Sequence, residues 1–381
     1  MMNNPKVSIH LSSFNHERFI RQSIDSSLNQ TFDDFELVIK EDASTDSSWE
    51  IIQNYTDPRI KTYRNLVNRE KGFNNYFPEF RGKYIAIHHS DDVWELDKLE
   101  KQVEFLDTHP QIGAVFSHIT IIDEAGQTID ENQGFDIKTF EQPNRDRYAW
   151  LNHFFYHGNA LCHPSILIRK ECYENCGLYR FGMVQLPDFD MWVRLCLKYE
   201  IHVIQEKLVR FRVHGNLSNA SSPKSENLVR ANFEHLQVLN NYMELKDRNE
   251  LLKVFPEAAQ YDYQGSDVRP LLAHLALDND GFVPKNFWAL QLLFDFMNDP
   301  KKQKTISGEF PYSKNEYAAL NRSLDVFGIE PRLQVKELKP LVDRLQGQVL
   351  FYSQSKSWKI TRPLRKIMEI LTGKKNEPQD H

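Results

Sequence analysis

The first half of the chain alternates short apolar runs with stretches whose apolar residues recur every three or four positions, the pattern of strands followed by helices. Val7-Ser8-Ile9-His10-Leu11 reads as a strand running out into polar Ser12-Ser13-Phe14-Asn15, after which Ile20, Ile24 and Leu28 share one helical face. Phe35 to Ile39 predicts a second strand. It is followed by Lys40-Glu41-Asp42-Ala43-Ser44-Thr45-Asp46, a loop rich in side chains that bond their own backbone. Ser47 with Glu50 offers a capping box for a helix from Trp49 to Tyr55. Strands are predicted at Ile60 to Arg64 and at Tyr84 to His88, the latter running into Ser90-Asp91-Asp92. Leu99, Val103 and Leu106 mark a helix near Asp97 to Leu106, and Gly113 to His118 reads as another strand. The pattern predicts an α/β protein, a doubly wound sheet with polar loops at strand C-terminal ends, where open parallel sheets bind ligands.

The alternation weakens between Gly126 and Tyr148 and resumes at Gly158 to Arg169. It continues through a helix near Phe189 to Tyr199 and strands at Ile201 to Ile204 and Val209 to Val213. From about Ser221 the pattern is almost wholly helical, and no repeat of fixed period marks a solenoid. Leu341, Leu345 and Val349 fit a short coiled coil or a packing helix, and packing is favoured because sustained heptads are absent. These shifts divide the chain into an α/β domain at 1–220, a helical extension at 221–355 and a basic tail at 356–381. A chain of 381 residues exceeds what one core usually serves, which agrees with a second module.

Charge changes the picture mainly at the end. The formal net charge is -6, against the basic footprint of a nucleic-acid binder. Between Lys356 and Lys375, however, seven basic side chains stand against Glu369 alone, interleaved with Trp358, Ile360, Leu364, Ile367, Met368, Ile370 and Leu371. That composition suits an interfacial helix on an anionic leaflet, and equally a helix docked on the acidic remainder of the chain. The polar start at Met1 to Lys6 lacks the regions of a secretory signal, and no apolar run approaches the roughly 20 residues of a membrane span. Four cysteines, Cys162, Cys172, Cys176 and Cys196, fit a reducing compartment and no zinc pattern, so the cytoplasm is expected, with peripheral association at the membrane face as an extension of the tail reading.

Three acidic loops follow three separate segments: Asp42, Asp91-Asp92, and Asp188 with Asp190. Each alone reads as a cap or turn; together they predict an acidic pocket for a divalent cation, Mn²⁺ or Mg²⁺, which takes oxygen ligands and in turn binds an anionic diphosphate. The ordered set Val7 to Asn15, Asn29-Gln30-Thr31, Glu41 to Asp46, Gly82-Lys83-Tyr84-Ile85, Ser90-Asp91-Asp92-Val93-Trp94, Pro187 to Arg194 and Phe211-Arg212-Val213-His214 resembles the inverting glycosyltransferases of family 2, of the bacterial surface-polysaccharide type. The resemblance runs from Val7 to about Ser218 and implies the GT-A fold, a Rossmann-like mixed sheet, here with a mainly helical C-terminal extension.

The resemblance implies a metal-dependent, inverting transfer of a hexosyl group from a UDP-, dTDP- or GDP-linked sugar to a saccharide acceptor, lipid-linked if the tail meets a membrane, in O-antigen or capsule assembly. It places Ser12, Phe14 and Asp42 at the nucleobase, Asp91 at the ribose or donor sugar, and Asp92 with His214 at the metal and diphosphate. Asp188 matches the catalytic base, and Trp94, Asp190, His163 and Ser165 are the acceptor-side candidates. The family often has Asp-Asp where this chain has Glu41-Asp42, and an acidic residue where Pro187 stands. Strand alternation sends His88 and His89 to opposite faces, so at most one reaches the site, and a packed histidine is the expectation. Two rival readings are a catalytically silent scaffold in a synthase complex and a sugar-1-phosphate nucleotidyltransferase; the latter wants a glycine-rich phosphate loop that Ser12-Ser13-Phe14-Asn15 does not supply.

Overall fold

The computed structural model describes residues 4–129, 137–215, 224–261, 263, 265–278, 281–299, 313–357, 359–361 and 363–365. Strands β1 (Val7–Ser13), β2 (Phe35–Glu41), β3 (Ile60–Arg64), β4 (Tyr84–His89), β5 (Val93–Trp94), β6 (Ile112–Ile122), β7 (Leu167–Arg169) and β8 (Glu200–Arg212) form one mixed sheet. Their order is β3-β2-β1-β4-β7-β6-β8-β5. β1 pairs in parallel with β2 and β4, β2 with β3, and β6 with β8. β7 runs antiparallel between β4 and β6, and β5 antiparallel to β8. Two reversals across β7 restore direction, so β1, β2, β4 and β8 end on the same edge. The chain leaves β1 for β2 and β3 on one side and returns to β4 on the other, which makes the crevice at the ends of β1 and β4 a topological switch point.

The predicted faces build the core. Val7, Ile9 and Leu11 of β1, Leu37 and Ile39 of β2, Ile20 and Ile24 of α1 (Ile20–Leu28), and Leu99, Val103 and Leu106 of α4 (Lys98–Thr108) pack in one buried cluster. Between them in sequence lie α2 (Ser48–Gln53) and α3 (Phe73–Tyr76). Gly82 fits where no other residue would: a Cβ there would overlap the Ser8 amide nitrogen and lie 2.6 Å from the Val7 carbonyl carbon. Its N–H donates to Ser8 Oγ (2.8 Å), which donates to the buried Glu36 (2.6 Å), tying the start of β4 to β1 and β2.

Two local expectations change. The predicted strands at 201–204 and 209–213 are one strand, β8, whose pairing with β6 shifts register at Ser117 and His118. The exposed Gln205-Glu206-Lys207 interrupts the apolar pattern there without ending the strand. The capping box of Ser47 does not form; Asp46 accepts the Ser48 N–H (3.0 Å), and the Ser47 N–H donates to Glu17 (3.0 Å).

Residues 1–311 form one compact unit and 312–381 a second. The first also contains α5 (Arg147–His157), α6 (Lys170–Cys176), α7 (Pro187–Cys196), α8 (Ser225–Asn240), α9 (Arg248–Val254), α10 (Arg269–Leu277) and α11 (Val283–Met297). Within it, Trp288 of α11 donates to Asn240 (2.9 Å), and Tyr242, just past α8, donates to the Leu151 carbonyl of α5 (2.8 Å). The second unit has helices Lys314–Ser323 and Ile329–Gln354, neither with a buried residue; Leu341, Leu345 and Val349 are half-exposed. No helix among the described residues is long and apolar enough to cross a membrane. Of the predicted tail, Trp358, Arg362 and residues 366–381 lie outside the described residues, as do 216–223, where the motif pattern ends and the helical extension was expected to begin.

Candidate active site

The loops after β1 and β2 are stitched together by side chains. The Asn15 N–H donates to Ser44 Oγ (2.9 Å), that of His16 to Ser48 Oγ (3.0 Å) and that of Glu17 to Asp46 (3.0 Å), while Asn15 Oδ1 accepts from the Thr45 N–H (2.9 Å). Asn15 and Ala43 both hold positive φ, 53° and 60°, a conformation that costs a non-glycine residue about 1–2 kcal/mol. Strain of this kind persists where surrounding bonds over-determine it. Ser12 sits opposite His89 in the β1–β4 register, and Phe14 beyond it is 41 % exposed. Asp42 ends β2 with a carboxylate that accepts from Asn65 (2.6 Å) and the Arg69 N–H (2.9 Å) and pairs with Lys40 (2.8 Å).

At the end of β4 the acidic pair meets three histidines. Asp91 accepts from His214 Nε2 at 3.1 Å, with His16 Nε2 at 4.0 Å. Burial pushes the Asp91 carboxyl up, but the His214 hydrogen bond and the neighbouring imidazoles outweigh it and hold it below the usual range. The same bond raises His214. Asp92 is almost fully buried; one oxygen accepts the Arg212 N–H (2.8 Å) and the other, Oδ2, has no hydrogen-bond partner among the described residues, with His89 Nδ1 3.6 Å away. Burial, reinforced by the charge of Asp91, pushes Asp92 well up. Arg212 shapes this turn: Nε donates to the Asp91 carbonyl (2.7 Å), and another nitrogen donates to Gln22 (2.8 Å). His16, Asp91 and His214, and likewise His89, Asp91 and Asp92, each bring three ligand atoms within 4.8 Å of one another. An orphaned buried carboxylate oxygen among carboxylates and imidazoles is a donor set that fits a divalent cation.

Asp188 occupies the first turn of α7, where Pro187 precedes it and backbone N–H groups lack helical partners. Burial pushes its carboxyl up to about 6, against the backbone N–H of Phe189 and the Asn159 amide, which donates to Oδ2 (3.0 Å). The segment entering α7 is fixed from α8: Glu234 accepts the N–H groups of Val184 (2.9 Å), Gln185 (2.7 Å) and Leu186 (2.6 Å). Asp188 and Asp92 both act electrostatically on the buried Cys162 thiol. Next to it His163 accepts from or donates to Tyr179 Oη (2.9 Å) and packs edge-on to His89 at 5.2 Å. A cavity of about 650 Å³ is lined by Phe154, Phe155, Gly158, Phe189, Phe282 and Lys285, among others; Gly158 and Phe189 are the chain neighbours of Asn159 and Asp188.

The expected acceptor-side residues Trp94, Ser165 and Asp190 point elsewhere. Trp94 is buried and stacks on His88 at 4.2 Å, with Lys98 Nζ 3.9 Å from its ring centre. Ser165 is buried and donates to the Cys162 carbonyl (2.7 Å). Asp190 is fully buried between Arg180 (2.7 Å), Arg194 (2.9 Å) and Asn241 (2.9 Å). His88 is packed, bonded to Ser27 (2.9 Å), while His89 on the other face meets the acidic pair. His16, Arg212, Asn159 and Glu234 were not anticipated. Arg212 had a signal, lying two residues before His214 in the Phe211 to His214 stretch, and so did Asn159, in the segment Gly158 to Ser165 that holds His163 and Ser165.

Residues 8–169 match the model of glycosyl transferase family 2. The chain is 36 % identical over 228 residues to an Escherichia coli protein named UDP-Glc:alpha-D-GlcNAc-diphosphoundecaprenol beta-1,3-glucosyltransferase WfaP, covering 59 % of this chain and 83 % of that one. It is 28 % identical over 234 residues to an uncharacterized glycosyltransferase of Methanocaldococcus jannaschii, covering 60 % of this chain and 77 % of the relative. Among solved structures, residues 1–349 of S. aureus TarS superpose with a TM-score of 0.51 at 14 % identity, covering 77 % of this chain and 84 % of that one. With its relatives, its matched domain and its mixed sheet, the chain belongs to glycosyl transferase family 2 and has the GT-A fold.

Proposed function

We propose that this glycosyltransferase moves a sugar from a nucleoside diphosphate donor to a hydroxyl of a lipid-linked saccharide, with inversion and with a divalent cation, at the cytoplasmic face during surface-polysaccharide assembly. The observation that carries the reading is that two differently tuned acidic centres, Asp92 after β4 and Asp188 at the start of α7, both lie close enough to the buried Cys162 to act on it. Asp91 and Asp92, with His16, His89 and His214, are suited to hold Mn²⁺ or Mg²⁺ beside the donor diphosphate. When bound, the cation would neutralise the charge of the departing diphosphate. Ser12, Phe14 and Asp42 take the nucleoside side.

Asp188, at about 6, is ionised at neutral pH yet retains proton affinity, as a general base requires. It accepts the acceptor hydroxyl's proton while that oxygen attacks the anomeric carbon and the bond to the diphosphate oxygen breaks, so a single displacement inverts the centre. The cavity walled in part by Phe154, Phe155, Phe189 and Phe282 with Lys285 is the place proposed for the acceptor. The lipid-linked acceptor is suggested by the printed activity of the Escherichia coli relative. Asp188→Asn is expected to reduce transfer by about 10²–10⁴ while calorimetry still detects donor binding. Undiminished transfer would remove Asp188 from the reaction, and a product of retained anomeric configuration by NMR would refute the single displacement.

A further inference from the structure

The helix Ile329–Gln354 is 26 residues long and buries none of them. Helical stability in proteins comes mainly from packing an apolar face, so a helix this exposed calls for a partner. Its apolar positions show what partner. Val335, Leu338, Val342, Leu345, Val349 and Tyr352 follow one another at spacings of three and four, all between 47 and 64 % exposed. In heptad terms Val occupies every a position, and Leu, Leu and Tyr the d positions. β-Branched residues at a with Leu at d favour a parallel two-stranded coiled coil. The two helix-weakening residues, Pro340 and Gly347, both fall at f, the position farthest from such a seam. The helix start is also fixed, since Asp325 accepts the N–H groups of Ile329 (2.7 Å) and Glu330 (2.8 Å).

We infer that a second copy of this chain covers this face, the two helices pairing in parallel through Val335 to Tyr352. Charge argues for self-pairing over a membrane surface. The helix carries Arg332, Lys336, Lys339 and Arg344 against Glu330, Glu337 and Asp343, a balance far short of the basic excess that draws an interfacial helix to anionic lipid. In the parallel register the seam-flanking positions place Gln334 opposite Lys339, Leu341 opposite Gln346 and Gln348 opposite Ser353, so no like charges oppose association. The seam spans only two and a half heptads, which is why it does not stand out in the sequence.

Sedimentation equilibrium of the full chain over a wide concentration range tests this, together with the variant Val342→Asp/Leu345→Asp. Expected is twice the chain mass for the wild type and the single-chain mass for the variant, with any loss of helical circular dichroism no larger than this one helix contributes. A Val349→Cys variant, near one end of the seam, is expected to form a disulfide-linked dimer on oxidation where the wild type does not, because only a parallel pair brings the two copies of position 349 together. A wild type of single-chain mass throughout, a trimer, or a dimer untouched by the double substitution would overturn the inference. So would a monomer whose binding to phosphatidylglycerol vesicles is abolished by the double substitution. A dimer without the position-349 cross-link would overturn the parallel arrangement.

Discussion

Asp188 and Asp92 are both carboxylates raised by burial, and their neighbours decide the rest. Asp188 receives helix N–H groups and the Asn159 amide, which favour its charged form and leave it at about 6; Asp92 has the negative Asp91 beside it and one oxygen unbonded. A base must be deprotonated to act, so kcat/KM for transfer is expected to fall as pH drops through about 6 and to level above it. Asn159→Ala removes a bond that lowers the pKa, so its acid limb should move to higher pH, and paired pH–rate profiles check the direction. That Asp91 would meet Asp92 and His214 was legible because these residues follow β4 and β8, which end on the same sheet edge. Trp94 and Ser165 were not, because a motif gives adjacency in sequence and not side-chain direction. Asp190 was excluded by helical geometry that the sequence already contained: two residues beyond Asp188 is about 200° around the helix, the opposite face.

At the scale of elements, the predicted strands and helices rest on apolar periodicity, and they held where the period was clean, as in β1, β3, α1 and α4. β8 was read as two strands because the exposed Gln205-Glu206-Lys207 sits at a register shift, where alternation fails while the strand continues. α7 carries two acids in different settings: Asp188 in its first turn accepts from the Asn159 amide, and Asp190 locks the helix to Arg180 before it and Asn241 after α8. Asp190→Ala leaves Arg194, nearly buried, without its charge partner, so stability should fall by about 3–5 kcal/mol in denaturant unfolding. Asp188→Ala, by contrast, should leave the unfolding midpoint near that of the wild type while abolishing transfer. Equal unfolding midpoints for the two variants would contradict this division of labour.

Across the whole molecule, the family match at 8–169 takes in Asp42, Asp91 and Asp92, while Asp188, His214 and Glu234 lie beyond it. The helical region through α11 folds with the sheet as one unit, and α8 anchors the segment that carries the base. In the proposed reading the donor side is built on the shared sheet, and the acceptor side on helices that sequence periodicity could locate but not dock. The division at 220/221 and the membrane role of the tail remain proposals beside that picture. The most direct measurement is donor turnover with UDP-, GDP- and dTDP-sugars, in Mn²⁺ or in chelator, on the wild type and on Asp92→Asn. One donor turned over with Mn²⁺, and lost both in chelator and in the variant, is the predicted result; no nucleotide sugar bound with or without metal would contradict the account.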